Sequence, residues 1–180
     1  MSRRLRAAHL AYLVRPTLLH RLIGPMLERL SEYDWQKTGE GPAPATVKHR
    51  IVRNYAKAHQ IKIFVETGTF LGDMIEAVRK DFDIVHSIEL DDTLHDRANK
   101  RFAAHENINF HKGDSGKELP KLVSTLHKPS IFWLDAHWSR GVTARGDLDT
   151  PINAELNSIL NETNLEQIVL IDDARLFGIA

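Results

Sequence analysis

At 180 residues the chain is long enough to bury the core of one α/β domain. Its 24 Lys and Arg equal its 24 Asp and Glu, which removes an overall basic field for nucleic acid and implies no acidic partner either. The absence of cysteine excludes disulfides, zinc thiolates and a thiol nucleophile, and is compatible with a reducing compartment, so a cytoplasmic location is the default expectation.

Six arginines (Arg3, Arg4, Arg6, Arg15, Arg21 and Arg29) face only Glu28 in the first thirty residues, with Leu10, Leu13, Leu18, Leu19, Leu22 and Ile23 between them. This is a basic, helix-prone arm that Pro16 divides. Two readings are open: it holds an anionic surface or partner, or it packs as an accessory helix with its arginines solvated. No apolar run approaches the roughly 20 residues of a membrane span, and Arg15 interrupts Ala7 to Val14 before a signal-peptide core can form. Thr38-Gly39-Glu40-Gly41-Pro42-Ala43-Pro44 is loop by composition, so residues 1–45 are read as arm and linker and residues 46–180 as the main domain. Val47, Ile51, Tyr55 and Ala58 recur at helical spacing and predict a helix over Thr46 to His59 that caps the sheet or its cleft.

From there strand and helix patterns alternate, which predicts a Rossmann-like open, mostly parallel sheet covered by helices on both faces. Five strands are nominated: Ile61 to Glu66, Ile84 to Leu90, Ile108 to His111, Ser130 to Asp135 and Ile168 to Asp172. The intervening helices carry the apolar stripes Met74/Ile75/Val78, Leu94/Ala98/Phe102, Leu119/Leu122/Val123 and Ile152/Leu156/Ile159, read as core.

The first strand runs into Glu66-Thr67-Gly68-Thr69-Phe70-Leu71-Gly72-Asp73, a glycine turn before a helix. A dinucleotide fingerprint wants a third, middle glycine and a pyrophosphate at the helix start. Here that glycine is absent and Glu66 and Asp73 flank the turn, so a cationic ligand fits better than a phosphate.

Each strand ends in, or soon reaches, an acid: Glu66, Glu89, Asp114, Asp135 and the pair Asp172-Asp173. The carboxyl ends of parallel strands share one rim, where ligands bind. Left alone these acids repel one another and raise their own pKa values, so something positive is expected among them. Glu89 lies 23 residues beyond Glu66, close to the roughly 20-residue offset of a ribose-binding acid. Asp114 admits a second reading, as the cap of the following helix. Asp135, Asp172 and Asp173 offer hard oxygen ligands suited to Mg²⁺. His137, two residues past Asp135, is the expected proton acceptor because its ordinary pKa of about 6.5 allows a neutral base. His111 is a weaker second candidate, and Trp138 is read as acceptor pocket or core. Residues 139–150 are polar and glycine-punctuated and read as an acceptor loop in which Arg140 and Arg145 hold an acidic group or are simply solvated.

The combination VETGTFLGD, SIEL, GDS, LDAHW and IDDAR, spread over about Thr46 to Phe177, resembles the class I S-adenosylmethionine-dependent methyltransferases, and within them the metal-dependent O-methyltransferases of sugar and macrolide tailoring. The resemblance implies that Glu66 holds the amino acid end of the cofactor and that Asp114 contacts the adenine amino group. Thr67, Gly68, Thr69, Gly72, Glu89 and Ser115 complete the implied cofactor site. It implies a divalent metal, Mg²⁺ for choice, on Asp135, Asp172 and Asp173, with catalysis by His137 and Asp135. The reaction would be displacement at the sulfonium methyl by an oxygen of a small hydroxylated acceptor such as a sugar or polyol, activated by the metal. Family members usually add an antiparallel hairpin after the fifth strand, whereas this sequence stops at Leu176-Phe177-Gly178-Ile179-Ala180. The expectation is therefore a shortened end whose fifth strand, or the basic arm, offers a route to a homo-oligomer. Two rival readings stand beside it: a metal-dependent phosphoesterase using the same aspartates, for which Glu66 and Glu89 have no use, and a non-catalytic cofactor-binding or assembly module.

Overall fold

The computed structural model describes residues 18–39, 41–135, 151–161, 165–172 and 174. His137, Trp138, Arg140, Arg145, Asp173, Arg175 and the arm before Leu18 lie outside the described residues. The elements are α1 (Leu18–Thr38), α2 (Ala45–His59), β1 (Ile63–Thr67), α3 (Asp73–Val78), β2 (Ile84–Glu89), α4 (Asp92–Arg101), β3 (Ile108–Lys112), α5 (Ser115–Val123), β4 (Ser130–Leu134), α6 (Ile152–Asn161) and β5 (Ile168–Ile171). By contact the chain divides between Arg50 and Ile51, inside α2. In the first unit α1 exposes Met26, Leu30 and Tyr33, and its Glu32 carboxylate lies 2.6 Å from the Arg50 guanidinium.

The second unit is built on the expected sheet. Its order is β3-β2-β1-β4-β5 with every pair parallel. The chain lays down β1, β2 and β3 outward in one direction, then returns to place β4 and β5 on the other side of β1. The order therefore reverses at the β1/β4 pair, and the crevice for a ligand opens outside the carboxyl ends there. Register carries Glu89, Asp135 and Asp172 to one level, two residues beyond that of Glu66. Glu66 pairs Ser87, Glu89 pairs Lys112, and Leu134 pairs Ile171, so Asp135 and Asp172 each come one residue past a matched pair.

Alternation along the strands divides the core in two. Phe64, Val85, Ile131 and Trp133 face Val52 and Ala56 of α2, Ile75 and Val78 of α3, and Phe102 just after α4. Ile63, Val65, Ile88, Phe132 and Leu134 face Leu119, Leu122 and Val123 of α5 and Ile159 of α6. Both faces are covered, as the near-continuous apolar runs of β1 and β4 require. The predicted helix at Thr46 to His59 thus covers the sheet with its second half. No helix among the described residues is long and apolar enough to cross a membrane.

Gly72, the N-cap of α3, has φ 75°, and a Cβ there would stand 2.7 Å from Phe102 Cε2. Phe102 is buried, so neither partner yields freely. Gly72→Ala is expected to cost about 1–3 kcal/mol through combined steric and left-handed backbone strain. Urea unfolding should show a lower midpoint with an unchanged slope.

Candidate cofactor site

Glu66 is the penultimate residue of the sheet's central strand and is 3 % exposed. Ser87, its partner across the β1/β2 ladder, donates its hydroxyl to Glu66 Oε2 at 2.8 Å. That leaves Ser87 Oγ as acceptor for Thr69, 2.6 Å away, so a chain of hydroxyls runs from the glycine turn to the acid. Burial pushes the Glu66 carboxyl well above its ordinary pKa, Ser87 opposes the shift, and the charges of Asp135, Glu89 and Asp73 add to it. Mutual repulsion of the rim acids is therefore real at Glu66, but desolvation is the larger cause.

The turn itself follows the glycines. Gly68 and Gly72 take φ 82° and 75°, and Phe70, where the dinucleotide pattern has its middle glycine, takes φ 49°. A left-handed phenylalanine is strained, and here its N–H is held by Glu89 Oε2 at 2.8 Å. Glu89 Oε1 accepts the Asp91 N–H at 2.9 Å. Both carboxylate oxygens are thus fixed at the end of β2, and a carboxylate has about four lone-pair sites, so capacity remains for hydroxyl donors. From the other side Arg101 bonds the Leu71 carbonyl and, at 3.1 Å, Asp73 Oδ1, which ties α4 to the turn.

Asp114 caps α5: its Oδ1 accepts the Gly116 N–H at 2.9 Å, the second of the two roles the sequence left open for it. The Gly113 N–H bonds the Glu89 carbonyl at 2.9 Å, joining the ends of β2 and β3. Asp135 donates its N–H to the carbonyl and the hydroxyl of Thr67, each at 3.2 Å, and Asp172 donates its N–H to the Leu134 carbonyl at 3.0 Å. The structure therefore brings Glu66, Thr67, Gly68, Thr69, Gly72, Glu89, Asp114, Ser115, Asp135 and Asp172 to one rim. His111 stands differently: its Nε2 is 3.0 Å from His86 Nδ1 within the β2/β3 sheet, and burial lowers the pKa of both rings, His86 to about 4.

Two residues of this site were not singled out from sequence. Ser87 is visible as the one small polar residue within the apolar run of SIEL, but its meaning depends on strand register. Glu155 had a sharper signal. It falls on the buried stripe of α6, three residues after Ile152 and four before Ile159, where an acid is out of place. It is 1 % exposed, and burial raises its pKa to about 7 while the hydroxyls of Ser115 and Thr67 pull it down and the charges of Asp114 and Asp135 push it up.

No family model matches the sequence, and no curated protein matches it. Solved structures do match in fold. The O-methyltransferase TomG from Streptomyces achromogenes, solved in complex with SAM, aligns with TM-score 0.60 at 17 % identity over 84 % of this chain and 66 % of that one. A putative caffeoyl-CoA O-methyltransferase from Staphylococcus aureus aligns with TM-score 0.56 at 14 % identity over 97 % of this chain and 76 % of its own. The SAH-bound Podospora anserina methyltransferase PaMTH1 gives TM-score 0.55 at 15 % identity over 84 % and 64 %. The chain thus spans about two thirds of the length of TomG and of PaMTH1. The fold is the Rossmann-like fold of the class I methyltransferases.

The buried acids make stability depend on pH with a sign opposite to that of a salt-bridged carboxylate. Glu155 ionises near 7 when folded and near 4.5 otherwise, so between those values the folded state holds the extra proton. Its contribution is fully present below the lower value and is lost as pH rises toward 7, by about 3 kcal/mol at most. Glu66 acts in the same direction. Urea unfolding at about pH 5 and about pH 8 should show wild type losing stability with rising pH, and Glu155→Gln losing distinctly less.

Proposed function

We propose that this chain is an S-adenosylmethionine-dependent methyltransferase acting on an oxygen of a small hydroxylated acceptor. The observation that carries the reading is the buried Glu66 carboxyl at the topological switch point, with further acids around it and hydroxyls rather than phosphate-binding groups beside it. Such a site rejects phosphates and favours a ligand with positive charge and no phosphate, as S-adenosylmethionine is. The known fold supports the same reading. In this scheme Glu66 and the Thr67 to Gly72 turn hold the amino acid end, Glu89 the ribose, and Asp114 with Ser115 the adenine. When bound, the cofactor would supply a sulfonium methyl for transfer to an acceptor oxygen, the carbon–sulfur bond breaking as the carbon–oxygen bond formed, and His137 would take the acceptor's proton. The protein's part is chiefly alignment, which fixed strand ends supply.

The donors also suit a hard divalent cation. Asp135 and Asp172 leave adjacent strands one residue past a matched pair, and Asp173 is the next carboxylate in sequence. No group of three His, Asp or Glu close enough to hold a metal ion occurs among the described residues, so the reading requires Asp173 as third ligand. When bound, Mg²⁺ lowers the pKa of a coordinated hydroxyl. Asp135 and Asp172 would hold it from strand ends whose backbone N–H groups bond β1 and β4.

Thermal unfolding in metal-stripped buffer tests the reading. S-adenosylmethionine at about 100 times its dissociation constant should stabilise the fold by roughly 2.7 kcal/mol. Added Mg²⁺ should increase the shift, and Asp172→Asn should remove only that increase. A shift with Mg²⁺ alone would favour the phosphoesterase instead. A shift with neither ligand would sink the methyl-donor reading.

Binding should also release protons. Burial holds the Glu66 pKa well above its ordinary value, and a cation beside it would lower it again, so binding below the raised value should be coupled to proton release and affinity should rise with pH. Calorimetric titration in two buffers of different ionisation enthalpy should report proton release at the lower pH, and Glu66→Gln should abolish it.

A further inference from the structure

Strand alternation places Phe64 and Glu66 on the face covered by α2 and α3, and Val65 and Thr67 on the face covered by α5 and α6. Glu155, in the first turn of α6, belongs to the second face, so the rim holds one buried acid on each side of the sheet. The hydroxyls of Thr67 and Ser115 face the Glu155 carboxyl. Thr67 Oγ1 already accepts the Asp135 N–H at 3.2 Å, so its own proton is available to Glu155. Glu155 Oε1, however, is buried and has no hydrogen-bond partner among the described residues. A sealed acceptor with no donor is costly, and gaining one is a direct source of binding energy.

The surroundings state what that donor is. Asp114 and Asp135 are the charged neighbours of Glu155, so an anion is excluded and an N–H group is favoured. The start of α6 reaches the start of α5: a Cβ on Gly116 would lie 3.5 Å from Ala154 Cβ and 3.6 Å from Pro151 Cβ. Glu155 therefore sits beside the Asp114–Ser115 corner, on the face opposite the cation-binding Glu66. We propose that Glu155 is a further cofactor-binding residue, its Oε1 accepting a hydrogen bond from the exocyclic amine of the bound adenine. This rests on the methyl-donor reading above and adds to it a purine-reading residue on α6. The amine carries two N–H bonds, so contacts to Asp114 and Glu155 are compatible.

Glutamine separates this role from packing. In Glu155→Gln the amide oxygen can still accept from Thr67 and Ser115, while the amide nitrogen replaces Oε1 with a donor. The experiment is calorimetric titration of wild type and Glu155→Gln with S-adenosylhomocysteine and with its 6-oxo analogue, in which a carbonyl replaces the amine. Wild type should prefer the amine ligand by about tenfold or more, and Glu155→Gln should weaken that ligand by about tenfold while affecting the 6-oxo analogue little. Equal losses for both ligands, or no loss for either, overturn the proposal while the methyl-donor reading stands. Should wild type bind neither ligand, both readings fall together. Should Glu155→Gln not fold by its thermal transition, wild-type selectivity alone decides: equal affinity for the two ligands overturns the proposal, and preference for the amine upholds it.

Discussion

The hydrogen bond from Ser87 to Glu66 joins the sheet to its chemistry. Glu66 ends the central strand almost without exposure, and the one residue able to serve it from β2 is the one that register places opposite. A slip of one residue would present His86 or Ile88 instead and turn every alternate side chain of β2 to the wrong face. The apolar contacts of Val85 on one side and Ile88 on the other hold that register. Core packing and the protonation state of the acid are consequently one constraint. Burial, with the charges of Asp135, Glu89 and Asp73 added to it, holds the carboxyl's pKa well above its ordinary value, so the folded protein keeps that proton to a higher pH.

The glycine turn shows how a missing glycine is accommodated. Phe70 occupies the left-handed region, where a side chain costs on the order of 1–3 kcal/mol. Glu89 meets its N–H from the neighbouring strand end, and a hydrogen bond to a charged group is worth roughly 1.5–3 kcal/mol. The strain and its compensation are of comparable size. One acid therefore serves two purposes, shaping the turn with one oxygen and anchoring the start of α4 through Asp91 with the other.

Much of this was legible in the sequence because it follows from period and order. Apolar runs of four to six residues separated by helical stripes gave the five parallel strands, and acids at their ends gave the rim. Strand bounds moved by one or two residues, as with Ile63–Thr67 for an expected Ile61 to Glu66, because pairing rather than composition decides where a strand starts. Ser87 was not legible, since nothing local to it says which residue lies across the ladder. Glu155 was legible in principle: an acid on the apolar stripe of α6 conflicts with its helix, and such conflicts mark sites. The apolar stripe of Ile152, Leu156 and Ile159 masks the acid between them.

Among the described residues, the donors to Glu66, Glu89 and Glu155 are neutral. Glu66 is served by a serine hydroxyl, Glu89 by two backbone N–H groups, and Glu155 by the hydroxyls of Ser115 and Thr67. A lysine or arginine in any of these places would have stabilised the carboxylate more strongly, but it would also have cancelled the field that a positive ligand needs. Hydroxyls and amides orient the acids without neutralising them. The local cost of leaving carboxyls buried with dipoles alone shows as raised pKa values at Glu66 and Glu155, one on each face of the sheet. That cost is recovered in different ways on the two faces. In the proposed reading a cation would restore charge balance at Glu66, where acids converge on the glycine turn, whereas a neutral N–H would suffice at Glu155, whose Oε1 lacks a donor among the described residues. Under the proposed reading, a single ligand with a positive end and a neutral amine-bearing end would satisfy both at once.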